Sequence, residues 1–238
     1  MSEKEEAFRF LSELHRRLDT VIAPAAQTQQ RISELEAIAK TDRAYKHFCG
    51  REHTFTKGIA LPAIYSELTT TFNMAAEDAK QSIMAEGFSN MPELSSNTPA
   101  RKARHPFNKA LVSDPHEIYS KWAEAKIPLT QSCPDFSFRN PFPYKIVFEA
   151  KYYERNSRRV AERELVNSAY QAFFYRGLPK DMSNPSRPWD YKYSCVFVYD
   201  ATEEGHFKAA WESLDNYVKS GFWEGANVYV MVLRGSYT

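Results

Sequence analysis

Only eight glycines and three cysteines occur among 238 residues, and each scarcity excludes something. So little glycine argues against collagen-like or glycine-rich disordered chains. Cys49, Cys133 and Cys195 are odd in number and widely spaced, with no Cys-x-x-Cys pair. Neither a structural zinc site nor a disulfide framework is expected from them, and a reduced compartment fits best. No apolar run approaches transmembrane length. The start, "MSEKEEAFRF", is too polar and acidic for a signal peptide. The expectation is a soluble cytoplasmic protein with no membrane partner. Gly-x-x-x-x-Gly-Lys and Gly-x-Gly-x-x-Gly are both missing, so no nucleotide cofactor is expected, and no His-x-x-x-His spacing supports a zinc hydrolase. The net charge of +1 leaves nucleic-acid binding open, because the distribution of charge matters more than its sum.

What is present suits a folded chain with one sizeable core: 43% apolar, 14% aromatic and 26% charged residues. Phe8, Leu11, Leu14, Leu18, Val21 and Ile22 recur at helical spacing, which predicts a helix over 3–22. Pro24 interrupts it, and Ile32, Leu35 and Ile38 resume the pattern in a helix over 27–48. Residues 1–58 read as an N-terminal helical subdomain that either braces the main domain or meets a partner, and 59–238 as the core domain. A long helix is predicted over 61–86, with Pro62 in its first turn, Gly87 at its end and Leu61, Ile64, Tyr65, Leu68, Phe72, Ala76, Ala79 and Ile83 as its buried stripe. The Ser-, Asn- and Pro-rich stretch that follows reads as a loop carrying Arg101, Lys102, Arg104 and Lys109 with one aromatic, Phe107. These cations either contact phosphates or form a solvated patch.

After the loop, strands and helices alternate. "PDFSFRN" (134–140) and "YKIVFEAKYY" (144–153) read as strands, 158–176 as a helix, "YSCVFVYDA" as a buried strand, "EEGHFKAAWESLDNYVKSG" as a helix and "NVYVMVLRG" as a last strand. The order is helices followed by β-β-α-β-α-β. It predicts an α/β protein (an α+β mixed sheet) flanked by helices on both faces.

Strand side chains alternate faces, so Ile146, Phe148, Ala150 and Tyr152 share an apolar face. Glu149 and Lys151 share the other. If the two strands are neighbours, Asp135 reaches Glu149. Two carboxylates at a strand end suit Mg²⁺, which takes hard oxygen ligands, and the Ala150 backbone carbonyl offers a third. Lys151 would stand beside a metal-bound water, to orient it, deprotonate it or neutralise charge on a phosphate. The alternative is that Glu149 and Lys151 lie on a solvated face and Asp135 opens a turn after Pro134.

Pro134-Asp135, thirteen residues, then Glu149-Ala150-Lys151 resembles the PD-(D/E)xK signature of the restriction-endonuclease-like nucleases. The resemblance spans about residues 60 to 235 and implies their core fold. It implies that Asp135 and Glu149 bind Mg²⁺, with Mn²⁺ as a substitute, and that Lys151 assists the attacking water. A chain of this kind without a helicase looks most like a type II restriction enzyme, a homodimer cutting double-stranded DNA. Gln171 and Tyr175, at i and i+4, resemble the Gln-x-x-x-Tyr element of the RecB-like branch, in which they support the site, so a repair or mobile-element nuclease is the alternative. A non-catalytic member that binds nucleic acid or protein is another. Many members add an acid from the preceding helix, for which Glu67 is the first candidate and Glu77 the second. Arg155, Arg158, Arg159 and Arg163 could grip phosphates near the cut, while Arg158, Arg159 and Arg163 could equally form a solvated face paired with Glu154 and Glu162.

Overall fold

The computed structural model describes residues 1–41, 50–85, 134–176, 179–181, 184–188 and 191–235. Helix α1 (Glu3–Val21) opens on a capping box: Ser2 accepts from the Glu5 N–H, and the Glu5 carboxylate accepts from the Ser2 N–H. Its face of Ala7, Phe10, Leu11, Leu14 and Leu18 is buried in the same apolar cluster as the central strands. Helix α2 (Ala25–Thr41) follows. Of the helix expected over 27–48, the part from 42 onward lies outside the described residues. A helical run then spans α3 (Arg51–Phe55), a π turn (Thr56–Ala60) and α4 (Leu61–Thr70). It begins at Gly50, whose φ of 89° favours glycine. The wide π turn lets Pro62 sit inside the run, although proline has no N–H to give. The expected boundary at 58 falls within this run.

The helix expected over 61–86 stops at Thr70. Thr69 and Thr70 turn their hydroxyls back onto the Tyr65 and Ser66 carbonyls, a competition that weakens a helix end. Asn73 then takes a left-handed φ of 52°. Helix α5 (Ala76–Ser82) restarts and gives way to strand β1 (Ile83–Ala85), which periodicity alone does not reveal. Strands β2 (Phe136–Phe138) and β3 (Ile146–Tyr153) and helix α6 (Arg158–Arg176) fall where the sequence predicts them. A hairpin of β4 (Pro179–Asp181) and β5 (Asn184–Pro188) is additional. Strand β6 (Tyr193–Asp200) follows. The single helix expected next is two, α7 (His206–Glu212) and α8 (Asn216–Glu224), because Asp215 has an extended ψ of 146°. Strand β7 (Val228–Leu233) comes last.

Five strands form a mixed sheet in the order β1-β2-β3-β6-β7. The pairs β1–β2 and β2–β3 are antiparallel, whereas β3–β6 and β6–β7 are parallel. One face packs α1, α3 and α4 against Phe136, Phe148, Phe197 and Tyr199. The other packs α6 and α7 against Val196, Val198, Val230 and Val232. The molecule is thus a mixed α/β protein with helices on both faces. No helix among the described residues is long and apolar enough to cross a membrane.

Beyond β7 the sheet has no further strand among the described residues, and α1 takes up part of that edge. His15 Nε2 donates to the Val232 carbonyl at 3.0 Å. The Asp19 carboxylate accepts the N–H groups of Arg234 and Gly235 at 2.8 and 3.1 Å.

Candidate active site at the end of strand β2

The β2–β3 register pairs Phe136 with Phe148 and Ser137 with Val147. Continued by one residue, it sets Asp135 opposite Glu149, and partners directly opposite share a sheet face. Strand β2 ends there, so β3 runs on with ladder groups that β2 does not reach. One is the Ala150 N–H, which donates to Asp135 Oδ2 at 2.7 Å. The aspartate therefore does two things at once. It closes the ladder, and it holds a second carboxylate oxygen beside Glu149.

Glu149 is 3% exposed, so the solvated-face alternative does not describe it. Its carboxylate lies 2.7 Å from Lys151 Nζ. Burial, and next the Asp135 carboxylate, push its pKa up to about 8, and Lys151 only partly offsets them. For Lys151, burial opposes the charge, but Glu149, Asp135 and Glu52 outweigh it and the net shift is upward. Lys151 is thus held as an ammonium.

Glu52, on α3, is 3.4 Å from Lys151 Nζ. Sequence reasoning missed it. Gly50-Arg51-Glu52 carries a helix-start signal, but nothing in the order of residues ties it to a lysine 99 positions later. Next to it, Arg51 pairs with Glu154 at 2.6 Å.

Glu67, the expected upstream acid, is buried elsewhere. It accepts from Arg17 at 2.9 Å and from the Thr71 hydroxyl at 2.6 Å, which ties α4 to α1. Glu77 is exposed on α5 and accepts from Gln81. Gln171 is half-buried and Tyr175 buried on α6. α6 returns from the end of β3 toward the start of β6. Gln171 lies about 20 Å along it from Arg158, whereas Glu149 lies about 13 Å back from the end of β3. Gln171 and Tyr175 thus lie in the C-terminal half of α6. Arg158 pairs with Glu162 at 3.3 Å on the solvated face of α6. Arg155, Arg159 and Arg163 are exposed, and Glu154 pairs with Arg51 rather than with them. Arg101, Lys102, Arg104, Phe107 and Lys109 lie outside the described residues.

The donor set fits a hard divalent cation of the Mg²⁺ type, which is content with one or two carboxylates and takes water and phosphate for the rest. Among the described residues no group of three or more His, Cys, Asp or Glu is arranged to hold a metal ion, so a closed all-protein cage is not built here. No protein-family model, no curated protein and no solved structure matches this chain.

Proposed function

We propose that this chain is a Mg²⁺-dependent nuclease that hydrolyses phosphodiester bonds in double-stranded DNA, built on a restriction-endonuclease-like core and acting in the cytoplasm as a homodimer in the manner of a type II restriction enzyme. The observation that carries the reading is the pairing register that sets Asp135 against Glu149, with Lys151 two residues along the same strand face. Asp135 and Glu149, with the Ala150 carbonyl, would hold the ion, and Mn²⁺ would substitute for it. A bound ion of this kind polarises a phosphate and lowers the pKa of its water. The chain's own share is to fix the two carboxylates on a rigid strand pair and to bring a charged ammonium to the same point. An ammonium held above its usual pKa is a poor base, which favours charge neutralisation as the role of Lys151 over proton abstraction.

The test is incubation of the purified chain with circular and with linearised plasmid and Mg²⁺, with Lys151→Ala as control. Discrete fragments from the wild type alone support the reading. Progressive shortening from the ends would favour the RecB-like alternative, in which Gln171 and Tyr175 support the site. Equal inertness of both proteins on duplex, single-stranded and RNA substrates would sink the catalytic reading.

A second reading has its own observation. Lys151 bridges Glu149 and Glu52, and Asp135 closes the ladder at Ala150, so the same contacts also make a self-sufficient internal network. On that reading the chain binds nucleic acid or protein without cutting. The Lys151→Ala protein would then keep its affinity for DNA, and no metal-dependent product would form with either protein.

A further inference from the structure

Lys151 has two carboxylate partners, and they belong to opposite faces of the sheet. Glu149 lies 2.7 Å from its Nζ, on the face where α6 packs. Glu52 lies 3.4 Å from it, on α3, whose Phe55 packs on Tyr152 and Tyr199 across the sheet. Strand β6 borders β3 as far as Tyr153, whereas β2 stops opposite Phe148. The two acids therefore meet one ammonium around the edge that β2 vacates. Lys151 and Glu52 line a cavity of about 290 Å³ there, which leaves the Nζ room to move. The two partners also differ in their surroundings. The Glu149 side chain is 3% exposed and that of Glu52 35%, so water shares the charge of the second and hardly that of the first. Neighbouring Arg51 is turned to Glu154, which leaves Glu52 to Lys151.

An ion held by Asp135 and Glu149 would draw off the negative charge on which the ammonium leans, and two cations would then compete for the Glu149 carboxylate. Glu52 lies outside that donor set and is already within reach of the Nζ. We propose that Glu52 is a positioning residue: it takes Lys151 over from Glu149 as Glu149 and Asp135 take up the divalent cation. The inference rests on the nuclease reading for the ion, and it adds what becomes of the lysine. Without the ion, Lys151 is folded onto Glu149 and neutralises it. With it, Lys151 stands off on the cavity side, where a phosphate oxygen can reach the ammonium. Cation binding and the placing of that charge thus become one event, coupled through Glu52 although Glu52 touches no ion.

The test is a double-mutant cycle on the full chain, read as Mn²⁺ affinity by calorimetry at about pH 8 without nucleic acid. Glu52→Gln is expected to weaken Mn²⁺ binding about tenfold where Lys151 is present, and less than about twofold in the Lys151→Met chain. An equal loss in both backgrounds means that Glu52 acts on the ion itself and overturns the proposal, and so does no loss in either. A second measurement uses the wild type, so that it stands even if a variant fails to fold. The side-chain carboxyl carbon of Glu52, followed by NMR, is expected to shift as Mg²⁺ is added, and in Lys151→Met to stay where it is. A signal unmoved in the wild type at saturating Mg²⁺ overturns the proposal, as does a shift that persists without the lysine. All of these results leave the nuclease reading with its ion. A wild type that binds neither Mn²⁺ nor Mg²⁺ removes that reading, and this inference with it.

Discussion

Replacing Glu149 by glutamine should make the protein more stable, and only above acidic pH. The side chain is 3% exposed and its pKa is pushed from 4.5 up to about 8. A carboxyl whose folded pKa is raised is favoured by the fold in its neutral form. Its contribution is fully present below the unfolded value and is lost as pH rises through the folded one. Between pH 4.5 and 8 the wild type therefore loses stability that a glutamine, neutral throughout, does not lose. The span sets an upper limit of about 5 kcal/mol at about 1.4 kcal/mol per pH unit. Relaxation around the site, and a Lys151 left with Glu52 and Asp135 alone, bring the expected gain to about 2 kcal/mol at pH 8.5 and near zero at pH 5. For a chain of this length that is a rise of about 4–8 °C in melting temperature. Paired thermal melts of the two proteins by circular dichroism at both pH values measure it. A variant less stable than wild type at pH 8.5, or a difference that does not change with pH, would refute the account of Glu149 as a strained, buried carboxyl.

Divalent-cation binding should share that pH dependence, because below pH 8 an ion must displace a proton from Glu149. Mn²⁺ affinity followed by calorimetry is expected to rise about fiftyfold from pH 6 to pH 8, and a flat profile would remove Glu149 from the ligands. Asp135→Ala should orphan the Ala150 N–H and cost about 1–3 kcal/mol in urea unfolding, whereas Asp135→Asn keeps an acceptor and costs less. If alanine were as stable as wild type, the aspartate would not be closing the ladder. Arg17→Met should cost about 1–3 kcal/mol by leaving buried Glu67 with only Thr71, yet leave cleavage per folded molecule unchanged. Lost cleavage in a well-folded variant would return Glu67 to the active site.

Much of the site was legible because it is short-range. Strand β3 announces itself by alternation, and Asp135 lies one tight connection earlier, so register does the rest. The order of β2, β3, α6, β6 and β7 was readable for the same reason. Legibility failed where partners are distant or elements are too short to show a period. Glu52 meets Lys151 only because the α3 run packs along the sheet. Glu67 looked available because its partner Arg17 belongs to another helix. β1 has three residues, and its Ile83 fitted a helical stripe equally well. Asn73 and Asp215 each interrupt what reads as one helix by taking a backbone angle that composition alone does not specify.

The sheet ends in β7, "VYVMVL", a run of the composition that self-associates when its edge is bare. His15 and Asp19 stand at that edge in place of a sixth strand, filling acceptor and donor positions that another chain would otherwise fill. α1 is thus a guard as well as a layer of the core. A chain begun at Ala25 should not yield a smaller domain but an adhesive one, with ordered aggregates that bind thioflavin growing from the uncovered strand. His15 is half-buried and its pKa is lowered by desolvation, so the guard is neutral near pH 7, and it would have to take up a charge against its surroundings before it could be pried loose by acid.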